Sequence, residues 1–176
     1  MLLFVFWSIG YSQKIVLDEV DSEGMRIIGC EYFTVSPTLK LSLSAYRCKG
    51  VSGLGLGVIT YRANYFIIKK NMVLLLKNID DEVITLKAYD NFYASPEEIQ
   101  PVDDNVYDSY YNISLYQITE ENIKKISKGI KKIRQETTDG LLDEVIEDET
   151  IGAKLKQEFD LMEETFKTPK SIYSDF

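Results

Sequence analysis

Residues 39–46 alternate strictly. Leu39, Leu41, Leu43 and Ala45 fall on one side, and Lys40, Ser42, Ser44 and Tyr46 on the other. A period of two belongs to a strand with one oily and one wet face; wound as a helix, the same residues would scatter around the axis. Short segments of the same kind recur up to about residue 148. Strands are expected at 14–20, 25–36, 39–48, 65–68, 72–77, 82–89, 110–118 and 130–137, separated by turn residues such as Asp21-Ser22-Glu23-Gly24 and Ser36-Pro37-Thr38. The expected fold is mainly β (α+β): an antiparallel β-sandwich or curved sheet of about eight to ten strands. In the first strand Ile15, Leu17 and Glu19 share a face. The run 72–76 is almost wholly apolar and reads as a central strand covered on both faces.

Two helices interrupt the pattern, near 120–128 and near 151–167. Thr119 offers an N-cap oxygen, Glu120 and Glu121 suit the first turn, Ile123 and Ile126 share a face, and Gly129 marks the stop. Thr150 is the expected cap of the second helix, and Ile151, Leu155, Phe159, Met162 and Phe166 form its apolar stripe. Between the helices, Asp139-Gly140 is a hairpin turn signal. Pairing across it places Ile133 near Ile146, Lys132 near Glu147 and Lys131 near Asp148. The basic residues 124–134 then read as a solvated face balanced by acidic residues 143–149.

Gly53-Leu54-Gly55-Leu56-Gly57-Val58 does not have the spacing of a phosphate loop. Glycines alternating with apolar residues make a strand with one bare face, against which a backbone or an aromatic ring packs closely.

The 176 residues contain no histidine, which excludes Ser-His-Asp and Cys-His catalysis and most zinc sites. A net charge of −8 disfavours nucleic acid and anionic membrane surfaces as partners. No motif implies a cofactor, and no segment approaches the roughly 20 apolar residues of a membrane span.

The organisation expected is a secretory signal peptide over 1–12, one β-rich domain over 13–168 and a flexible tail over 169–176. Leu2 to Trp7 is the apolar core of the signal, with Gly10 and Ser12 as the small residues before cleavage at Gln13. The missing positive charge at the start leaves a buried first strand as the alternative. Cys30 and Cys48 are candidates for a disulfide in an exported protein. A simple hairpin sets Cys30 opposite Ser44, roughly 13 Å from Cys48, so a bridge needs a bulge or another register.

Residues 92–108 form the longest loop, with Pro96, Pro101 and several carboxylates. Tyr93, Asp103, Asn105, Tyr107 and Asp108 are its candidate ligand contacts. Asp103, Asn105 and Asp108 offer calcium-type oxygens, but the glycine and the distal glutamate of an EF-hand loop are absent. The tyrosines offer rings to a sugar or a peptide. Asn112-Ile113-Ser114 matches the glycosylation triplet within an expected strand.

The Gly10-Tyr11-Ser12-Gln13 junction resembles export signals of Bacteroidetes. The runs FIIKKNMVLLLKN, EVITL and YQITEENIKKISKGIKKIRQE resemble small exported proteins of that group with no assigned activity. The resemblance spans about residues 60–165, implies an exported β-rich domain, and carries no catalytic residue. The expected role is a non-catalytic binding or interaction module of the cell envelope, periplasmic or at the cell surface, whose partner is a protein or a glycan. The alternatives are a carboxylate-dependent hydrolase acting on glycans, or an intracellular structural domain if residues 1–12 are not a signal.

Overall fold

The computed structural model describes residues 13–96 and 109–170. Within them the chain forms β1 (Ile15–Val20), β2 (Arg26–Cys30), β3 (Phe33–Ser36), β4 (Leu39–Cys48), β5 (Val51–Arg62), β6 (Ile67–Ile68), β7 (Val73–Asn78), β8 (Val83–Lys87), β9 (Phe92–Tyr93), β10 (Ser95–Pro96), β11 (Tyr110–Ile118), α1 (Glu120–Ile126), β12 (Ile130–Thr137), β13 (Gly140–Val145) and α2 (Ile151–Lys167). The larger sheet is curled and antiparallel, ordered β1-β2-β4-β5-β11-β10, with β3 also on β4. A four-stranded sheet runs β13-β12-β7-β8, and β6 pairs with β9. The two main sheets share one core, and at one corner their backbones also pair, through an Ala88–Tyr116 bridge and the Tyr89 N–H on the Leu115 carbonyl.

The mainly β expectation holds. Leu39, Leu41, Leu43, Leu56 and Val58 of the larger sheet are fully buried, as are Leu74 and Leu76 of the smaller. Each fully buried Leu or Val contributes about 1.5–3 kcal/mol of transfer free energy. β7 is central, between β12 and β8, but only one of its faces is closed. Leu74 and Leu76 face the core, while Val73, Leu75 and Lys77 stay half-buried on the outer side.

The expected strand over 25–36 is split at Glu31-Tyr32. β2 pairs with β4 from Arg26–Arg47 to Gly29–Ser44, and β3 resumes at Phe33–Leu41. The break shifts the register by one, so Gly29, not Cys30, lies opposite Ser44. A one-residue slip moves a side chain to the other face, and Cys30 therefore enters the core. A further irregularity in β1 puts Ile15 opposite Cys30 and off the face of Leu17.

The β12–β13 hairpin also departs from expectation. Thr137 pairs with Gly140, Ile133 with Glu144 and Lys132 with Val145. The turn is carried by Thr138-Asp139, and Gly140 opens the next strand at φ 102°. Thr137 fixes this geometry: its hydroxyl donates to the Gly140 carbonyl at 2.7 Å and accepts the Asp139 N–H at 3.2 Å. Asp143 thus lies opposite Arg134, which it meets with both oxygens, and it also meets Lys132. The remaining basic residues of this stretch pair elsewhere: Lys124 with Glu120, Lys125 with Glu121, Lys128 with Asp80 and Lys131 with Asp81.

α1 is capped as expected, and Asn122 completes the box by accepting the Thr119 N–H at 3.1 Å. Gly129 has φ 136° beyond its end. Thr150 does not cap α2 with its side chain. Asp148 instead accepts the N–H of Thr150 itself at 2.8 Å and pairs with Lys154. The two helices meet at Gly152, where an added Cβ would fall 1.9 Å from the Ile126 carbonyl oxygen. No helix among the described residues is long and apolar enough to cross a membrane.

Candidate functional site

Strand register fixes what each face of the larger sheet carries. Leu41, Leu43, Leu56, Val58, Ser114 and Tyr116 point to the core. Gly53, Gly55 and Gly57 point the other way, in line with Tyr46, Ser44 and Ser42 of β4 and with Leu115 and Gln117 of β11. The bare face expected for the glycine strand is filled by neighbouring side chains. A Cβ at Gly53 would come within 2.2 Å of the Tyr46 ring, one at Gly55 within 2.6 Å of Leu115, and one at Gly57 within 2.5 Å of the Tyr32 hydroxyl. Glycine lets these side chains lie against the backbone, at the cost of local strand stability.

At the Gly53 end of this face lies a groove of ≈ 680 Å³, within the range of small-molecule sites. Ile27, Tyr46, Leu115 and the Gly53–Gly55 backbone form its floor, with Tyr89 at its edge. Ser44, Ser52, Gln117 and Thr119 supply hydroxyl and amide groups, and among the described residues no charged side chain lines it. Tyr46 and Tyr89 are 40% and 58% exposed, so both rings remain open to a ligand. The same face continues past Tyr32 to Ile113, Tyr61 and Tyr111, the last two rings 6.4 Å apart. Polar uncharged groups beside exposed rings can hydrogen-bond and stack on a ligand.

The candidate residues of the long loop fare differently. Asp103, Asn105, Tyr107 and Asp108 lie outside the described residues. Tyr93 sits on β9, 63% exposed and away from the groove. Residues 1–12 and 171–176 also lie outside the described residues. Among the described residues, no three His, Cys, Asp or Glu side chains gather as a metal site. Asn112 of the glycosylation triplet is buried, its amide donating to the Phe92 carbonyl at 2.8 Å. Cys30 and Cys48 are free thiols. Burial raises the Cys30 thiol to about 12; its sulfur lies against the Glu158 carbonyl, and that of Cys48 against the Glu23 carbonyl.

Alternation places Tyr46 on the wet face of β4, but nothing local in the sequence joins it to Tyr89. That juxtaposition comes from the corner where the two sheets meet. No family model, curated protein or solved structure matches the chain.

Proposed function

We propose that this is an exported, non-catalytic binding module of the cell envelope whose glycine-floored groove takes a neutral glycan. The observation that carries the reading is the groove lining: two open tyrosine rings, four neutral polar side chains and, among the described residues, no charge. Sugar rings present an apolar C–H face together with hydroxyls, which suits aromatic stacking beside short polar groups. An ionic ligand would find no counter-charge there. The length of the aromatic face beyond the groove favours a chain of several sugars over a single one. Export rests on the apolar run 2–7 and the small residues before Gln13.

Calorimetric titration of the purified chain with neutral oligosaccharides and with uronic-acid oligosaccharides tests this. Saturable binding of a neutral chain, weakened at least tenfold by Tyr46→Ala, is the expected result. Binding of only the acidic chains, or of none, would overturn it.

A further inference from the structure

Glu158 lies within the apolar face of α2 and is completely buried. One carboxyl oxygen, Oε2, accepts the Leu43 N–H at 2.7 Å. That N–H is free because the partner strand is split: β2 stops pairing with β4 at Ser44, and β3 begins at Leu41. The helix thus fills a gap in the sheet with a side-chain acceptor. The other oxygen, Oε1, is buried with no hydrogen-bond partner among the described residues.

The groups around Glu158 do not compensate a charge. From β2 and the residues after it, Cys30 and Tyr32 face it, and both are neutral. The charges of the packed elements are engaged elsewhere: Arg26 of β2 with Asp18, Arg47 of β4 with Glu163, and the lysines of α1 with Glu120 and Glu121. On α2 itself, Lys154 pairs with Asp148 and Lys156 with Asp160. Among the described residues, burial and the Leu43 N–H act on the Glu158 carboxyl, and no lysine or arginine does.

We propose that Glu158 is a proton-controlled latch: the neutral acid seats α2 over the gap in β4, and loss of its proton loosens the helix from the sheet. A carboxylate there would be a full charge held by one N–H in an apolar setting, which is strongly unfavourable. Burial raises this carboxyl to about 8, the Leu43 N–H opposing the shift, so the change falls near neutral pH. The first turn of α2 stays anchored where Gly152 meets the Ile126 carbonyl. Loosening therefore belongs to the part of α2 beyond Leu155.

Amide hydrogen exchange of the full chain from about pH 6 to 9, corrected for intrinsic rates, tests the latch. Protection of amides after Leu155 should fall about tenfold per pH unit from the ordinary glutamate value of about 4.3 up to the folded midpoint of about 8, and level off above it, while β11 stays protected. Glu158→Gln, which keeps an acceptor for Leu43, should flatten the profile. The latch is overturned by α2 protection independent of pH, or by an unchanged pH profile in the Gln protein. If that variant does not fold, carbon NMR of the wild-type Glu158 carboxyl decides: a midpoint near 7–9 supports the latch, and one near the ordinary glutamate value of about 4.3 sinks it.

Discussion

The Gln135 side-chain carbonyl on β12 accepts a 2.7 Å hydrogen bond from the Thr60 hydroxyl on β5, closing a polar bridge between the two sheets. Its amide donates to the Tyr116 hydroxyl at 3.0 Å and lies 3.5 Å from the Ser114 hydroxyl. All four residues are at most 1% exposed. A satisfied polar network in an apolar interior fixes one alignment of the layers, because any slip leaves groups unpaired.

Removing the centre of this bridge should therefore cost more than removing its rim. We expect Gln135→Leu to lower unfolding free energy by about 2–3 kcal/mol, since the Thr60 and Tyr116 hydroxyls lose their partner. Adding Thr60→Val and Tyr116→Phe should recover much of that loss. Urea unfolding of the single and triple variants measures both; a neutral single variant would show that the bridge sets nothing.

Stability should peak in mildly acidic solution. Arg26 holds Asp18 below the ordinary carboxylate range, and Arg134 does the same for Asp143. Lys131 and Lys77 bring Asp81 to about 2, and the Thr150 hydroxyl and Lys154 bring Asp148 to about 2. A lowered carboxyl contributes stability above its unfolded value, lost as pH falls through the folded one. Glu158 has the opposite sign: its contribution is complete below the ordinary glutamate range and is lost as pH rises toward about 8. We expect the urea midpoint to be highest near pH 4–5, to decline up to about pH 8 and then to level off, with Glu158→Gln removing the decline. A midpoint rising steadily to pH 9 would contradict this.

β4 and β11 were legible because alternation held over long runs, and α1 because its cap and stop signals agreed. The split at Glu31-Tyr32 was not, since Cys-Glu-Tyr-Phe continues a strand pattern and only the missing strand partner marks the gap. Asp139-Gly140 reads as the turn itself, but the Thr137 hydroxyl draws the turn one residue back and with it the β12–β13 register. The floor of the groove was visible in the glycine alternation; its Tyr89 edge was not, because a corner contact between sheets leaves no local signal. Glu158 was readable in principle, lying three residues after Leu155 and four before Met162 on one helical face.

Glycine substitutions should separate folding from binding. Gly152→Ala sets a Cβ against a backbone carbonyl that cannot move aside, and we expect a loss of more than about 2 kcal/mol in thermal or urea unfolding. Gly53→Ala meets only the outer edge of the partly exposed Tyr46 ring. That ring can swing away, so stability should change little while affinity for a neutral glycan falls. Equal destabilisation by both would contradict the assignment of the ring to the groove.

The two thiols should differ in accessibility. Cys30 is 2% exposed and its thiol is raised to about 12, whereas Cys48 lies half-buried at the end of β4. Alkylation of the native reduced protein should modify Cys48 first, and Cys30 only after denaturant is added. Mass mapping of the labelled peptides checks this; rapid native labelling of Cys30 would mean that the core under α2 is open.

The groove itself is tested most directly by amide chemical-shift mapping during titration with a neutral oligosaccharide. We expect concentration-dependent shifts centred on Gly53, Gly55, Leu115 and Gln117, together with the Tyr46 and Tyr89 rings. Shifts confined to other surfaces, or none at millimolar sugar, would contradict the assignment of this face as a glycan site.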